Sequence, residues 1–120
     1  TVIVKTADKY FKSKGISPKC AKNISDSTPT EIYKYVALGK PVIVWVTLDM
    51  GSTGEWFQAG TVNGKGVYWP RRAHCMVLTG YDLNRGTVKV NDPIRGTVEY
   101  SMSDFEKAYK NMGKNAVIIE

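Results

Sequence analysis

The spacing of apolar and polar positions divides the chain into elements before any chemistry is considered. Ile3, Ala7, Tyr10 and Phe11 recur at helical spacing, with Lys5, Lys9 and Lys12 on the other side, which predicts an amphipathic helix ending at Gly15. In "TPTEIYKYVALG", Thr28 can cap a second helix, Pro29 suits its first position, and Glu31 completes a capping box. Ile32, Tyr35 and Val36 form its apolar stripe, and Gly39 is the natural left-handed stop. "PVIVWVTL", Pro41 to Leu48, is continuously apolar and β-branched, as expected of a central buried strand. Asp49 to Pro70 is glycine-rich and lacks a clear period; it carries Trp56, Phe57, Tyr68 and Trp69 and reads as a functional surface loop or a loose hairpin. Strands are expected over His74 to Asp82 and Thr87 to Asn91, joined by the turn "LNRG", and "GTVEYS" adds another short one. "SDFEKAYKNMG" predicts a third helix with Ser103 and Glu106 as capping box and Gly113 as stop, and "NAVIIE" closes the chain as a strand. This order predicts an α+β fold, an antiparallel sheet packed with helices, rather than a doubly wound one.

At 120 residues the chain is expected to form one domain at most, and its 42% apolar content is ordinary for a globular protein. The longest apolar run is far too short to cross a bilayer, and these residues contain no signal peptide or anchor. The first residue is Thr1, so some upstream segment is expected to have been removed. The net charge of +6 has a local origin: Lys5, Lys9, Lys12, Lys14, Lys19 and Lys22 face only Asp8 across the first two dozen residues. This reads first as a solvated helix face, and second as a surface attracting an anionic cell-wall polymer. A nucleic-acid partner rests on charge alone and is set aside. Two cysteines are too few for a disulfide framework or a structural zinc site, so neither a metal nor a cofactor is expected.

The chemistry centres on His74, the only histidine. A thiol nucleophile needs a base, usually an imidazole, and the base needs a third group to orient it. His74 opens one strand and Asp92 ends its partner in "KVNDP", so a hairpin brings the two to the same end. Pro93 then turns the chain away and leaves the aspartate at a strand tip. Cys75 follows His74 directly, but neighbouring strand residues point to opposite faces, which makes it a small packing residue rather than the nucleophile. Cys20, in "SPKCAKNI", lacks the helix N-terminus that activates catalytic thiols. A base and an orienter are therefore expected without a nucleophile.

With "GKPVIVWVT", "HCMVLTGYD" and "VNDPIRGTVEYSMSDFEKAYKNMG" assembled, the chain closely resembles the C39-like cysteine peptidases, a papain-like bacterial family. The resemblance runs in order along nearly all of residues 1–120, which would form a single C39-like domain, or its C-terminal portion. It implies a papain-like fold and a Cys–His–Asp triad in which His74 is the general base and Asp92 its orienter. The family's nucleophile stands in a "GCE"-like motif opening an earlier helix, preceded by an oxyanion-hole glutamine, and neither motif occurs here. The nucleophile is therefore expected upstream of Thr1, and this chain alone is expected to be inactive. In the family's terms, Trp56 and Trp69 are candidates for a substrate-cleft wall. The substrate would be a peptide or related acyl compound. The alternative is a non-catalytic binding or cell-surface module on the same scaffold. A domain lacking a helix should expose apolar surface, and so bind the missing N-terminal segment or self-associate. By resemblance the location is extracellular or at the cell surface of a Gram-positive bacterium.

Overall fold

The computed structural model describes residues 2–15 and 21–119. Helix α1 (Val2–Ser13) precedes β1 (Ala21–Asn23), α2 (Pro29–Ala37) and β2 (Val42–Thr47). A 3₁₀ turn (Leu48–Met50), the β3 (Trp56–Val62) and β4 (Lys65–Pro70) strands, β5 (Ala73–Asp82), β6 (Thr87–Asp92) and β7 (Gly96–Ser101) follow; α3 (Met102–Asn111) and β8 (Ala116–Ile119) complete the order. Six strands form one sheet, ordered β1-β8-β2-β5-β6-β7 with every neighbouring pair antiparallel, while β3 and β4 pair only with each other. The architecture is α+β.

The alternation of β2 sets the layers. Val42, Val44 and Val46 are fully buried, whereas Ile43 and Trp45 between them are half-buried on the opposite face. The first face packs on Ile32 and Tyr33 of α2 and on Phe105, Ala108 and Tyr109 of α3, together with Met76, Leu78, Val88, Val90 and Ile118 from neighbouring strands. Each such buried side chain contributes about 1.5–3 kcal/mol. The other face is only partly covered. Ile3, Thr6, Ala7, Tyr10 and Phe11 of α1 meet Ile43 and Ile119 around an apolar groove of about 500 Å³. No residue of α1 is buried.

Local signals explain most boundaries. Thr28 caps α2 through the Glu31 N–H at 3.2 Å, and the Glu31 carboxylate accepts the Thr28 N–H at 3.2 Å, with Pro29 at the first position. The third helix departs from expectation. Ser101, not Ser103, is its cap, accepting the Asp104 N–H at 3.1 Å, because β7 runs in extended conformation up to that residue. Glu106 is thereby free to accept the Tyr33 hydroxyl at 3.0 Å. The Asp49 to Pro70 segment contains a hairpin whose register shifts between Gln58 and Gly60 and whose two-residue turn places Asn63 and Gly64 at φ 52° and 76°. Positive φ at both positions is the requirement of a type I′ turn. Strand β1 was not expected; it extends the sheet by pairing with β8.

Candidate active site

Strands β2, β5 and β6 build the site at one end of the sheet. Register places His74 opposite the buried Val46 and Cys75 opposite Trp45. Since Val46 faces the helices and Trp45 the other side, the strand sends the imidazole and the thiol to opposite faces. Cys75 is a half-buried free thiol, and burial pushes its pKa up, away from the ionised form a nucleophile needs. Cys20 lies outside the described residues.

His74 and Asp92 meet. His74 Nε2 lies 2.8 Å from Asp92 Oδ1, and the two side chains are only 12% and 3% exposed. An ionised carboxylate only accepts, so Nε2 is the donor across this contact and Nδ1 is the ring nitrogen left for another partner. Asp92 Oδ1 also accepts the Ile94 N–H at 2.8 Å, an Asx-type turn that begins as β6 ends at Pro93. Burial alone would push the Asp92 carboxyl up. The His74 hydrogen bond, the Ile94 N–H, the His74 charge and the Arg95 N–H outweigh it and hold the carboxyl below the usual carboxylate range.

Trp56 and Trp69, the residues suggested for a cleft wall, are 55% and 42% exposed on the β3–β4 hairpin. Trp69 lines a cavity of about 390 Å³ with Trp45, Val117, Asn23 and Asn115. Trp45 belongs to the sheet face opposite His74, so this cavity and the imidazole lie on different sides of the sheet. Among the described residues, no three His, Cys, Asp or Glu side chains are grouped to hold a metal ion. Among the same described residues, no helix is long and apolar enough to cross a membrane.

Sequence reasoning missed a charged cluster beside the pair. Asp49, at φ 56° in the 3₁₀ turn, forms ion pairs with Arg95 and, at 3.8 Å, with Arg72. Arg72 also donates from Nη2 to the Leu48 carbonyl at 3.1 Å, while its own carbonyl accepts the Leu48 N–H at 2.8 Å. These residues come from three separated segments, and only strand register reveals their proximity. The one local hint was an arginine close to each member of the pair, Arg72 just before His74 and Arg95 just after Asp92.

Comparison with known proteins bears on the fold and the family. A crystal structure described as that of a candidate C39-like peptidase from Bacillus anthracis matches with a TM-score of 0.73 and 27% identity, covering 83% of this chain and 50% of that one. The chain thus spans about half the length of that protein. No protein of curated function matches it. The model of the peptidase C39-like family matches residues 1–117, nearly the full length, and the chain belongs to that family.

Proposed function

We propose that this chain carries the base and the orienter of a thiol-dependent peptidase or related acyl hydrolase, and that residues ahead of Thr1 supply the nucleophilic cysteine. The observation that supports this reading best is the 2.8 Å contact from His74 Nε2 to Asp92 Oδ1 in a largely dry setting. It fixes the ring and leaves Nδ1 as the basic nitrogen. Nδ1 takes the thiol proton, and the thiolate adds to the acyl carbonyl. Collapse of the adduct breaks the C–N bond, and the departing amine takes the proton from the imidazolium. A water molecule, deprotonated by Nδ1, then attacks the thioester; this releases the acid and returns the proton to sulfur. Asp92 stabilises the imidazolium in both halves without itself taking the proton.

Separately from the imidazole, the half-covered opposite face of the sheet offers apolar surface at Ile43, Trp45 and Ile119 to a further segment or a second copy. The test is to express the chain with its natural upstream residues and assay peptide and thioester hydrolysis. Activity is expected to vanish on His74→Ala and on loss of the upstream cysteine. Asp92→Asn is expected to lower the rate by about four orders of magnitude, as when a triad orienter is neutralised. Residues 1–120 alone are expected to be inactive. Activity in that piece, abolished by Cys20→Ser, would overturn the assignment of the nucleophile.

A second reading, a cell-surface binding module of a Gram-positive bacterium, is favoured by one observation. Trp56, Tyr68 and Trp69 stand exposed on the hairpin, and Lys5, Lys9 and Lys12 are exposed on α1, a combination suited to an anionic cell-wall polymer. The upstream sequence separates the two readings: a cysteine opening a helix supports the enzyme, and serine or glycine in its place supports the binding module.

A further inference from the structure

We infer that Asp49 is a positioning residue that holds the strand start bearing His74 and the turn bearing Asp92 in one geometry. The two halves of the pair reach the site on different backbone segments, and each is tied to the Leu48–Met50 turn. On the His74 side, Arg72 immediately precedes β5. Its carbonyl accepts the Leu48 N–H at 2.8 Å, its N–H donates to the Thr53 carbonyl at 3.0 Å, and its guanidinium donates to the Leu48 carbonyl at 3.1 Å and lies 3.8 Å from Asp49. A Cβ on Gly54 would stand 3.0 Å from Arg72 Cγ, so the arginine stem lies closely against that loop.

On the Asp92 side, the turn through Pro93, Ile94 and Arg95 is exposed at each of those three residues. Apolar packing therefore does little to fix it. The β6–β7 ladder holds its ends at Asp92 and Gly96, and the Arg95 guanidinium ties its tip to Asp49. One carboxylate thus joins the two strand ends whose side chains meet at 2.8 Å. The turn that presents it is itself held firmly: Thr47 is fully buried and donates its hydroxyl to the Gly51 carbonyl at 2.7 Å, and Met50 is buried in the core. Asp49 and Met50 both adopt positive φ, 56° each, in a place where neither is glycine. Strained backbone of this kind persists where the surrounding contacts over-determine it.

The inference concerns the geometry of the pair, and it gains catalytic meaning only if the reading proposed above holds. Because His74 is the only histidine, its ring N–H gives a single resonance whose exchange with water can be followed in the 120-residue chain without any assay of activity. Asp49→Asn and Arg95→Gln are each expected to speed exchange of the His74 Nε2–H by about two- to fivefold, the range set by half-exposed ion pairs. Asp49→Glu should restore the slow exchange, with circular dichroism unchanged in all three.

The two substitutions remove opposite charges. A cluster acting only through its field would move hydroxide-catalysed exchange in opposite directions, and that outcome, or no change in either variant, would overturn the inference. Loss of the fold in Asp49→Asn is answered by Arg95→Gln, at a side chain 54% exposed. Absence of hydrolysis in the longer protein would sink the proposed function while leaving the exchange result intact.

Discussion

Asp92→Ala removes a carboxylate that is 3% exposed and deprives the His74 Nε2–H and the Ile94 N–H of the acceptor each had at 2.8 Å, along with the Arg95 N–H that also points to it. A buried donor left without a partner costs about 1–3 kcal/mol. Water can reach part of this site, because Ile94 is exposed and His74 is 12% exposed, so the losses at His74 and Ile94, about 2–6 kcal/mol if fully dry, should come to about 2–3 kcal/mol. Asp92→Asn keeps an acceptor and the shape but loses charge assistance, and should cost about 1 kcal/mol. Urea denaturation of the 120-residue chain at neutral pH measures both.

The same experiment in acid fixes the sign. The folded Asp92 carboxyl lies below its ordinary value, so its contribution is present above the unfolded pKa of about 3.9 and is lost as pH falls through the lower folded value. The gap between wild type and Asp92→Asn should therefore be full near neutrality and close below about pH 4. A gap of constant size across that window, or no gap near neutrality, would show that the carboxylate charge does not hold this corner of the sheet.

Phe105→Ala, at a fully buried ring stacked on Tyr109, should cost about 3–5 kcal/mol by the same denaturation measurement. Tyr109→Phe should cost about 1 kcal/mol, because its hydroxyl donates to the Ser27 carbonyl at 2.8 Å. Burial, joined by the charges of Asp26 and Glu31, pushes the Tyr109 phenol up to about 12, so ultraviolet titration should show one late-ionising tyrosine missing from Tyr109→Phe. Cys75 should react with iodoacetamide far more slowly in the folded chain than in urea, since burial raises its thiol pKa; equal peptide-resolved rates would contradict its placement.

What the sequence made legible were features written in neighbouring residues. The Thr28–Glu31 box, the β2 run and the turn after Asp82 all appear where local chemistry puts them, and the hairpin argument brought His74 to Asp92. The β3–β4 hairpin was one of two readings of its segment; "VNGK" favours it, since Asn-Gly is the strongest two-residue turn signal, while the surrounding aromatics and glycines kept a surface loop as the other. Ser103 was mistaken for the cap of α3 because a cap depends on where the preceding strand ends, and β7 carries extended backbone as far as Ser101. The pairing of β1 with β8 joins opposite ends of the chain, and the Asp49–Arg72–Arg95 cluster depends on register across three strands. Neither leaves a periodic trace in sequence.

The placement of His74 and Asp92 on two successive strands, joined by a short turn, also bears on how the pair comes into being during folding. Hairpins close in about 1–10 μs, well before distant strands such as β1 and β8 need to find each other. The imidazole and its carboxylate thus share one local folding unit, and their alignment depends little on the slower events at the opposite edge of the sheet. A chain that frays at α1 or loses the β1 pairing can keep its base aligned, because both chemical groups lie within one contiguous stretch of sequence.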